Sequence, residues 1–268
     1  MARDANATLT TLTRLGFASR GLLYLVIGYL IVRTGRTEDV SGALAYLGQG
    51  GGRILLIVMA AGLIGYGLWR TSDAAFNIER HGNDKKGLAQ RVGAGASGLI
   101  HLFLAWQAVS LLRGAARSSG GDGAEQGAAT ALALPGGSVM LLLAGLVLLG
   151  VGIFQLVKAA KASFCDHLDS RVADETWVKT AGRLGYAARG VVFLISGTFL
   201  LRAGLDAQAS EAGGMEQALN WLSSPWDLIV GIGLAAFGIY SLIEARYRVL
   251  HDVPVEGMAA KARSKLPV

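Results

Sequence analysis

Cysteine and proline are nearly missing from this 268-residue chain, which holds one cysteine, Cys165, and four prolines. A lone cysteine excludes an internal disulfide and a cysteine-bound metal cluster, and packing as a small hydrophobe is its expected role. Charge is scarce as well, at 16% of residues against about 25% in soluble domains. Much of the chain therefore needs no aqueous surface. No apolar run alternates strictly with polar residues, so the strand pattern of a membrane barrel is not there.

Patterns that carry catalytic chemistry are also missing. The segment Gly114–Gly127, rich in Gly, Ala and Ser, lacks the Gly-x-x-x-x-Gly-Lys spacing and the preceding strand of a phosphate cradle, and reads as a mobile outside loop. No Ser-His-Asp set, histidine pair or pair of intramembrane carboxylates can be assembled. Glu125, Glu211 and Glu216 fall in outside loops, where a solvated surface is the default. The expectation is a protein that is not an enzyme and holds no cofactor and no metal. A net charge of +6 could suggest nucleic acid, but the basic residues lie in loops beside apolar runs, which is the mark of membrane topology. No nucleic-acid partner is expected.

What the chain does have is 52% hydrophobic residues, 38 glycines and six apolar runs, at Gly16–Thr34, Ile54–Trp69, Val92–Leu112, Val139–Val157, Leu184–Leu201 and Leu228–Ile243. Each approaches the roughly 20 residues a helix needs to cross a hydrocarbon core of about 30 Å. Helices satisfy their own backbone groups, as lipid requires. No small-residue cleavage site follows the first run, where Arg33, Thr34 and Gly35 stand, so it reads as a retained helix. Lys and Arg crowd into the segments before the first run, between the second and third, between the fourth and fifth, and after the sixth. The positive-inside rule puts those segments, and both termini, in the cytoplasm of a bacterial inner membrane.

The runs repeat. Arg14-Leu-Gly-Phe-Ala-Ser-Arg20-Gly21 matches Arg183-Leu-Gly-Tyr-Ala-Ala-Arg189-Gly190, with a weaker copy at Arg91-Val-Gly-Ala-Gly-Ala-Ser97-Gly98. The even-numbered runs share Tyr66-Gly67-Leu68-Trp69, Val151-Gly152-Ile153-Phe154 and Phe237-Gly238-Ile239-Tyr240. Between the two runs of each copy lies a short apolar element: Ala43–Leu47, Ala131–Leu134 and Ala218–Leu222. With Tyr46, Trp221 and Trp226 nearby, these read as interfacial helices lying flat. The copies cover about residues 12–80, 89–162 and 181–248 of one membrane domain, followed by a cytoplasmic tail, 249–268. Small residues four apart, as in Ala61 and Gly65, Gly93 and Ser97, or Gly231 and Ala235, offer close-approach faces.

The Arg-x-Gly-x-x-x-Arg-Gly openings and Gly-x-aromatic closings resemble the bacterial membrane family known as domain of unknown function 1206, over nearly the whole chain. The second copy departs from the pattern at Ser97. The resemblance implies tandem two-helix units and no particular activity. Each unit returns the chain to its starting side, so the copies are parallel. The fold class expected is an all-α integral membrane protein of six transmembrane helices, three parallel two-helix repeats around a pseudo-three-fold axis.

Charge within the runs gives the candidate site. Arg14 to Arg33, and Arg183 to Arg202, span 19 residues each, or about 28 Å of helix, so these arginines bracket the membrane. Arg20 and Arg189 then lie roughly 9 Å inside, where a cation needs a partner or a route to the surface. Six residues past the shared glycine of each even run stand Asp73, Lys158 and Glu244. Copy two lacks both the second arginine and the acid, so ion pairs Arg20–Asp73 and Arg189–Glu244 within copies one and three are expected. Structural roles compete with a functional one, in which Arg14, Arg91 and Arg183 ring a mouth that binds an anionic headgroup or solute. His101 occupies the position of Tyr24 and Phe193. As the one histidine inside a run it supplies no bis-histidine haem set, and it reads as a hydrogen-bonded interior residue. Gln107 and Gln155 read as inter-helix glue. Two functions stay open: a structural or lipid-binding bundle that supports the cell envelope, with membrane lipids and other membrane proteins as partners, or a transporter or pore for a small anionic or amphiphilic solute.

Overall fold

In the structure, a computed structural model, residues 2–35, 37, 40–48, 52–79, 81–82, 84–114 and 123–249 are described. The described residues are helical throughout, apart from turns and one isolated bridge between Leu168 and Arg248. The α-helices are α1 (Ala2–Tyr29), α2 (Val40–Gly48), α3 (Arg53–Phe76), α4 (Lys85–Leu112), α5 (Gly123–Leu132), α6 (Gly137–Lys161), α7 (Ser170–Ala173), α8 (Thr176–Leu205), α9 (Met215–Trp221) and α10 (Trp226–Tyr247). Six of these, α1, α3, α4, α6, α8 and α10, are long and apolar enough to cross a membrane. They extend the apolar runs by up to a few turns into polar sequence. Asp84 starts α4 by accepting from the Gly87 N–H at 2.9 Å, and Asn77 ends α3 in the left-handed region, φ 55°.

The long helices pack as an arc in the order α4, α3, α1, α10, α8, α6. Glycine places them. A Cβ on Gly21 would lie 2.9 Å from the Gly238 carbonyl oxygen, one on Gly98 2.9 Å from that of Gly67, and one on Gly190 3.1 Å from that of Gly152. The two copy signatures are thus each other's contact points, but between copies. Each of the three junctions, α1–α10, α4–α3 and α8–α6, joins the opening glycine of one copy to the closing glycine of the copy before it. The residue one turn on covers each glycine: Leu242 and Leu25, Thr71 and Leu102, Leu156 and Leu194. In lipid, such close backbone approach replaces the hydrophobic drive as the source of packing energy.

Within copies the outcome differs. Gly62 meets Ser19 across α1–α3, and a Cβ on Gly233 would lie 2.5 Å from that of Ala188 across α10–α8. The equivalent positions in copy two are Ala96 on α4 and Val147 on α6. Val147 is 64% exposed, and Gly93, the counterpart of Gly16 and Gly185, faces open space. Accordingly, α4 and α6 share no substantial contact among the described residues. Only 17% and 22% of their apolar windows are buried, against 56% for α1 and α10. The second hairpin is splayed, and Gly93 and Ala61, expected at packed faces, are exposed.

The end of the bundle remote from the termini is closed by the short elements. Helix α2 does not lie flat on a surface: Ala43 and Leu44 are wholly buried, and Tyr46 is the large side chain that turns outward. In α9, Ala218 and Leu219 are buried while Trp221 is exposed. Helix α5 begins at Gly123, inside the segment expected as loop, and residues 131–134 are its end and the following turn. Residues 115–122 and the tail beyond Val249 lie outside the described residues.

Candidate functional site

The shared spacing of the three junctions sets up three equivalent charge positions at the end of the bundle near the termini. The expected pairs within hairpins are not formed. Arg20 on α1 pairs through Nη2 with Glu244 on α10, not with Asp73, because the acid six residues beyond a closing glycine lies beside the arginine of the neighbouring copy. Around this pair the Arg20 Nε donates to Ser241 Oγ at 3.1 Å, and the guanidinium sits over the rings of Phe17 and Phe237 at 4.9 and 5.0 Å. Glu244 also accepts from Arg248 Nη1 at 2.8 Å, and Arg248 Nη2 reaches Glu79 at 3.3 Å. Burial works against the Arg248 charge, yet Glu244 and Glu79 outweigh it and raise its pKa.

At the α3–α4 junction, Ser97 replaces the arginine. Asp73, wholly buried, turns instead to His81 Nε2 at 3.0 Å, to the Glu79 N–H at 2.8 Å and to Arg70 Nη1 at 3.5 Å. Asp73, Glu79 and His81 bring three ligating atoms within 4.8 Å of one another. With Arg70 and Arg248 on two of them, the set fits an ion-pair cluster better than a cation site. Sequence spacing alone gave no sign of Glu79, His81 or Arg248 here, since they stand in or beside connections.

At the α6–α8 junction a cation stands where the acid would be. Among the described residues Arg189 has no carboxylate; Glu244, its expected partner, is taken by Arg20. Its guanidinium rests over Phe237, Phe193 and Tyr24 at 4.4, 5.3 and 5.5 Å, and its buried Nε meets no acceptor. Lys158 Nζ sits 4.6 Å from the Tyr186 ring centre.

The outer arginines divide in the same way. Arg14 donates to the Ala245 carbonyl at 2.8 Å, and Arg91 to the Ala74 carbonyl at 2.9 and 3.0 Å. Both thereby satisfy the open C-terminal turn of a neighbouring helix. Arg183, their counterpart, is exposed and makes no such bond among the described residues. The three are no ring of free cations: two are committed to carbonyls. His101 bonds through Nδ1 to the Ser97 carbonyl at 2.7 Å and packs 4.5 Å from the Tyr66 ring. Arg20, Arg189 and His101 therefore converge on one aromatic cluster, with Tyr24, Tyr66 and Phe237 between them. Gln107 accepts from Ser41 Oγ at 2.8 Å, tying α2 to α4.

Beyond the spans, burial pushes the Cys165 thiol pKa up. Hydrogen bonds from Arg171 hold the Asp169 carboxyl at about 2. A shallow groove of about 620 Å³ opens beside α8, lined by Trp177, Thr180, Leu184 and Ala236 with Glu175 as its charge.

The family model for Domain of Unknown Function (DUF1206) matches residues 15–77, 92–162 and 184–248. The chain is 30% identical over 248 residues to the uncharacterised protein YxxB of Bacillus subtilis (strain 168), covering 88% of this chain and 90% of that relative. No solved structure matches. With three matched segments, each taking in one two-helix unit, the chain belongs to the DUF1206 family of multi-pass membrane proteins.

Proposed function

We propose that the chain is a non-catalytic bundle of the bacterial inner membrane, with both termini cytoplasmic, that binds membrane lipids and docks other membrane proteins along its splayed second copy in support of the cell envelope. The observation that carries this reading is the contrast between the two sides of the arc. On one, α1 and α10 are locked by Arg20, Glu244, Arg248 and Glu79. On the other, α4 and α6 part and present Leu99, Phe103, Trp106, Val147 and Phe154 outward. In this reading the copies stand around a pseudo-three-fold axis that is open within copy two. The equivalent glycine junctions support that arrangement.

The second reading, a transporter or pore for a small anionic or amphiphilic solute, draws on the convergence of Arg20, Arg189 and His101. Against it, rings packed edge to face fill the point of convergence: Tyr24 and Phe237 lie 4.8 Å apart, and Phe17 and Tyr66 5.2 Å. Cys165→Ser removes the sole cysteine, so cysteines placed at Tyr24, His101 and Phe237 can be probed with a membrane-impermeant maleimide in native membranes. The bundle reading expects all three to stay unlabelled. Labelling from either side would replace it with the transporter reading.

A further inference from the structure

Among the three equivalent junctions, one is left electrically open. At α1–α10 the deep arginine has its acid and the outer arginine has its carbonyls. At α3–α4 the acid has His81 and Arg70, and Arg91 has its carbonyls. At α6–α8 the deep positions hold Arg189, over Phe237, and, in the register of Glu244, Lys158, over Tyr186, and the outer position holds Arg183. Among the described residues none of the three has a carboxylate within 4.0 Å or a hydrogen-bond acceptor. The rings on which Arg189 and Lys158 rest, Phe237 and Tyr186, touch edge to face at 5.3 Å. Rings orient the cations, but they bring no negative charge. Only Nε of Arg189 is sealed off; its two Nη atoms and the Lys158 Nζ are not, so their donors remain open to a ligand.

From this we infer that Arg189 and Lys158, with Arg183 at the rim, bind a phosphate group in the α6–α8 junction. A guanidinium fork and an ammonium point charge are the donor pair that suits a tetrahedral oxyanion, the fork fixing two oxygens and the ammonium a third. The depth agrees. Arg183 brackets the apolar run, where lipid phosphates meet the hydrocarbon, and Arg189 starts roughly 9 Å further in, a depth from which a long basic side chain meets a headgroup drawn toward it. The splay of α4 from α6 leaves the flank of α6 open to lipid, so a headgroup reaches the junction without crossing the bundle. A phosphate from a lipid headgroup and one from a soluble phosphate share this chemistry. The inference rests on the lipid-binding reading above and assigns it a site.

The test uses the full chain in nanodiscs of phosphatidylcholine with a minor fraction of phosphatidylglycerol. Native mass spectrometry counts the phosphatidylglycerol retained, and inorganic phosphate is then added as competitor. Wild type is expected to retain phosphatidylglycerol selectively, and R189Q to lose that retention about tenfold or more. The decisive variant is K158E, which puts at the α6–α8 junction the acid that α10 carries at Glu244. It is expected to pair with Arg189, to melt no lower than wild type and to lose the lipid, which separates loss of the site from loss of the fold. Displacement by phosphate extends the site to soluble phosphates, and failure to displace confines it to headgroups. If K158E and R189Q retain phosphatidylglycerol as wild type does, the bundle binds lipid elsewhere and this site is wrong. If wild type neither retains phosphatidylglycerol nor binds phosphate, the site and the lipid-binding reading fall together.

Discussion

Replacing Glu244 by Gln tests the charge network at its most connected point. Glu244 is 3% exposed and is shared by Arg20, itself 13% exposed, and Arg248. Glutamine keeps the volume and removes the charge. Arg248 falls back on Glu79 at 3.3 Å, but Arg20 is left with the hydroxyls of Ser241 and Tyr66 and aromatic faces. Removing one member of a buried pair costs about 3–5 kcal/mol, because the other charge stays behind uncompensated. By the scaling of soluble domains of similar length, that is a drop of roughly 6–20 °C in Tm. The assay is thermal unfolding in one mild detergent, run as two double-mutant cycles. Arg20→Met combined with Glu244→Gln should recover most of the loss, since the stranded cation goes too. Arg20→Met combined with Asp73→Asn should couple far more weakly, because these side chains share no direct contact and are linked only through Glu79, Arg248 and Glu244. Strong coupling of Arg20 to Asp73, or none to Glu244, would refute pairing between copies.

Two further predictions concern packing and titration. Alanine at Gly185 would put a Cβ 2.5 Å from Phe237 Cα and should destabilise by about 1–3 kcal/mol. Alanine at Gly93, the equivalent position in copy two, meets nothing within 4 Å and should stabilise by about 0.5–1 kcal/mol; equal losses in thermal unfolding would mean that the second hairpin is closed. Asp169 should titrate with a midpoint near 2 in carboxyl NMR, held down by Arg171, and R171Q should return it toward 3.8. Because the folded value is the lower one, the stabilisation this contact gives is present above pH 3.8 and is lost as pH falls through about 2.

The six spans and three copies were legible because apolar length and repeated signatures are local properties of the chain. Pairing was not. The register of Asp73, Lys158 and Glu244 is local to the chain, but the helix each one faces is not: the opening glycine and arginine of each odd helix meet the even helix of the copy before it. Read that way, the same register puts Lys158 beside Arg189 and Glu244 beside Arg20. The splay of copy two also had a signal, Val147 in the place held by Gly62 and Gly233, but it has meaning only once those glycines are known to be contact points. Helix α5 was hidden by its Gly-rich beginning, and the cluster of Asp73, Glu79 and His81 was hidden because two of its members sit in a connection without periodicity.

The account depends most on an arc open within copy two, and disulfide trapping in native membranes measures that directly. In a Cys165→Ser background, three equivalent cysteine pairs are compared under mild oxidation: Ser19 with Gly62, Ala188 with Gly233, and Ala96 with Val147. The account requires the first two to cross-link and the third to remain reduced. Cross-linking of Ala96 with Val147 at the rate of the other two would show a closed second hairpin, and with it the splayed binding side would be lost.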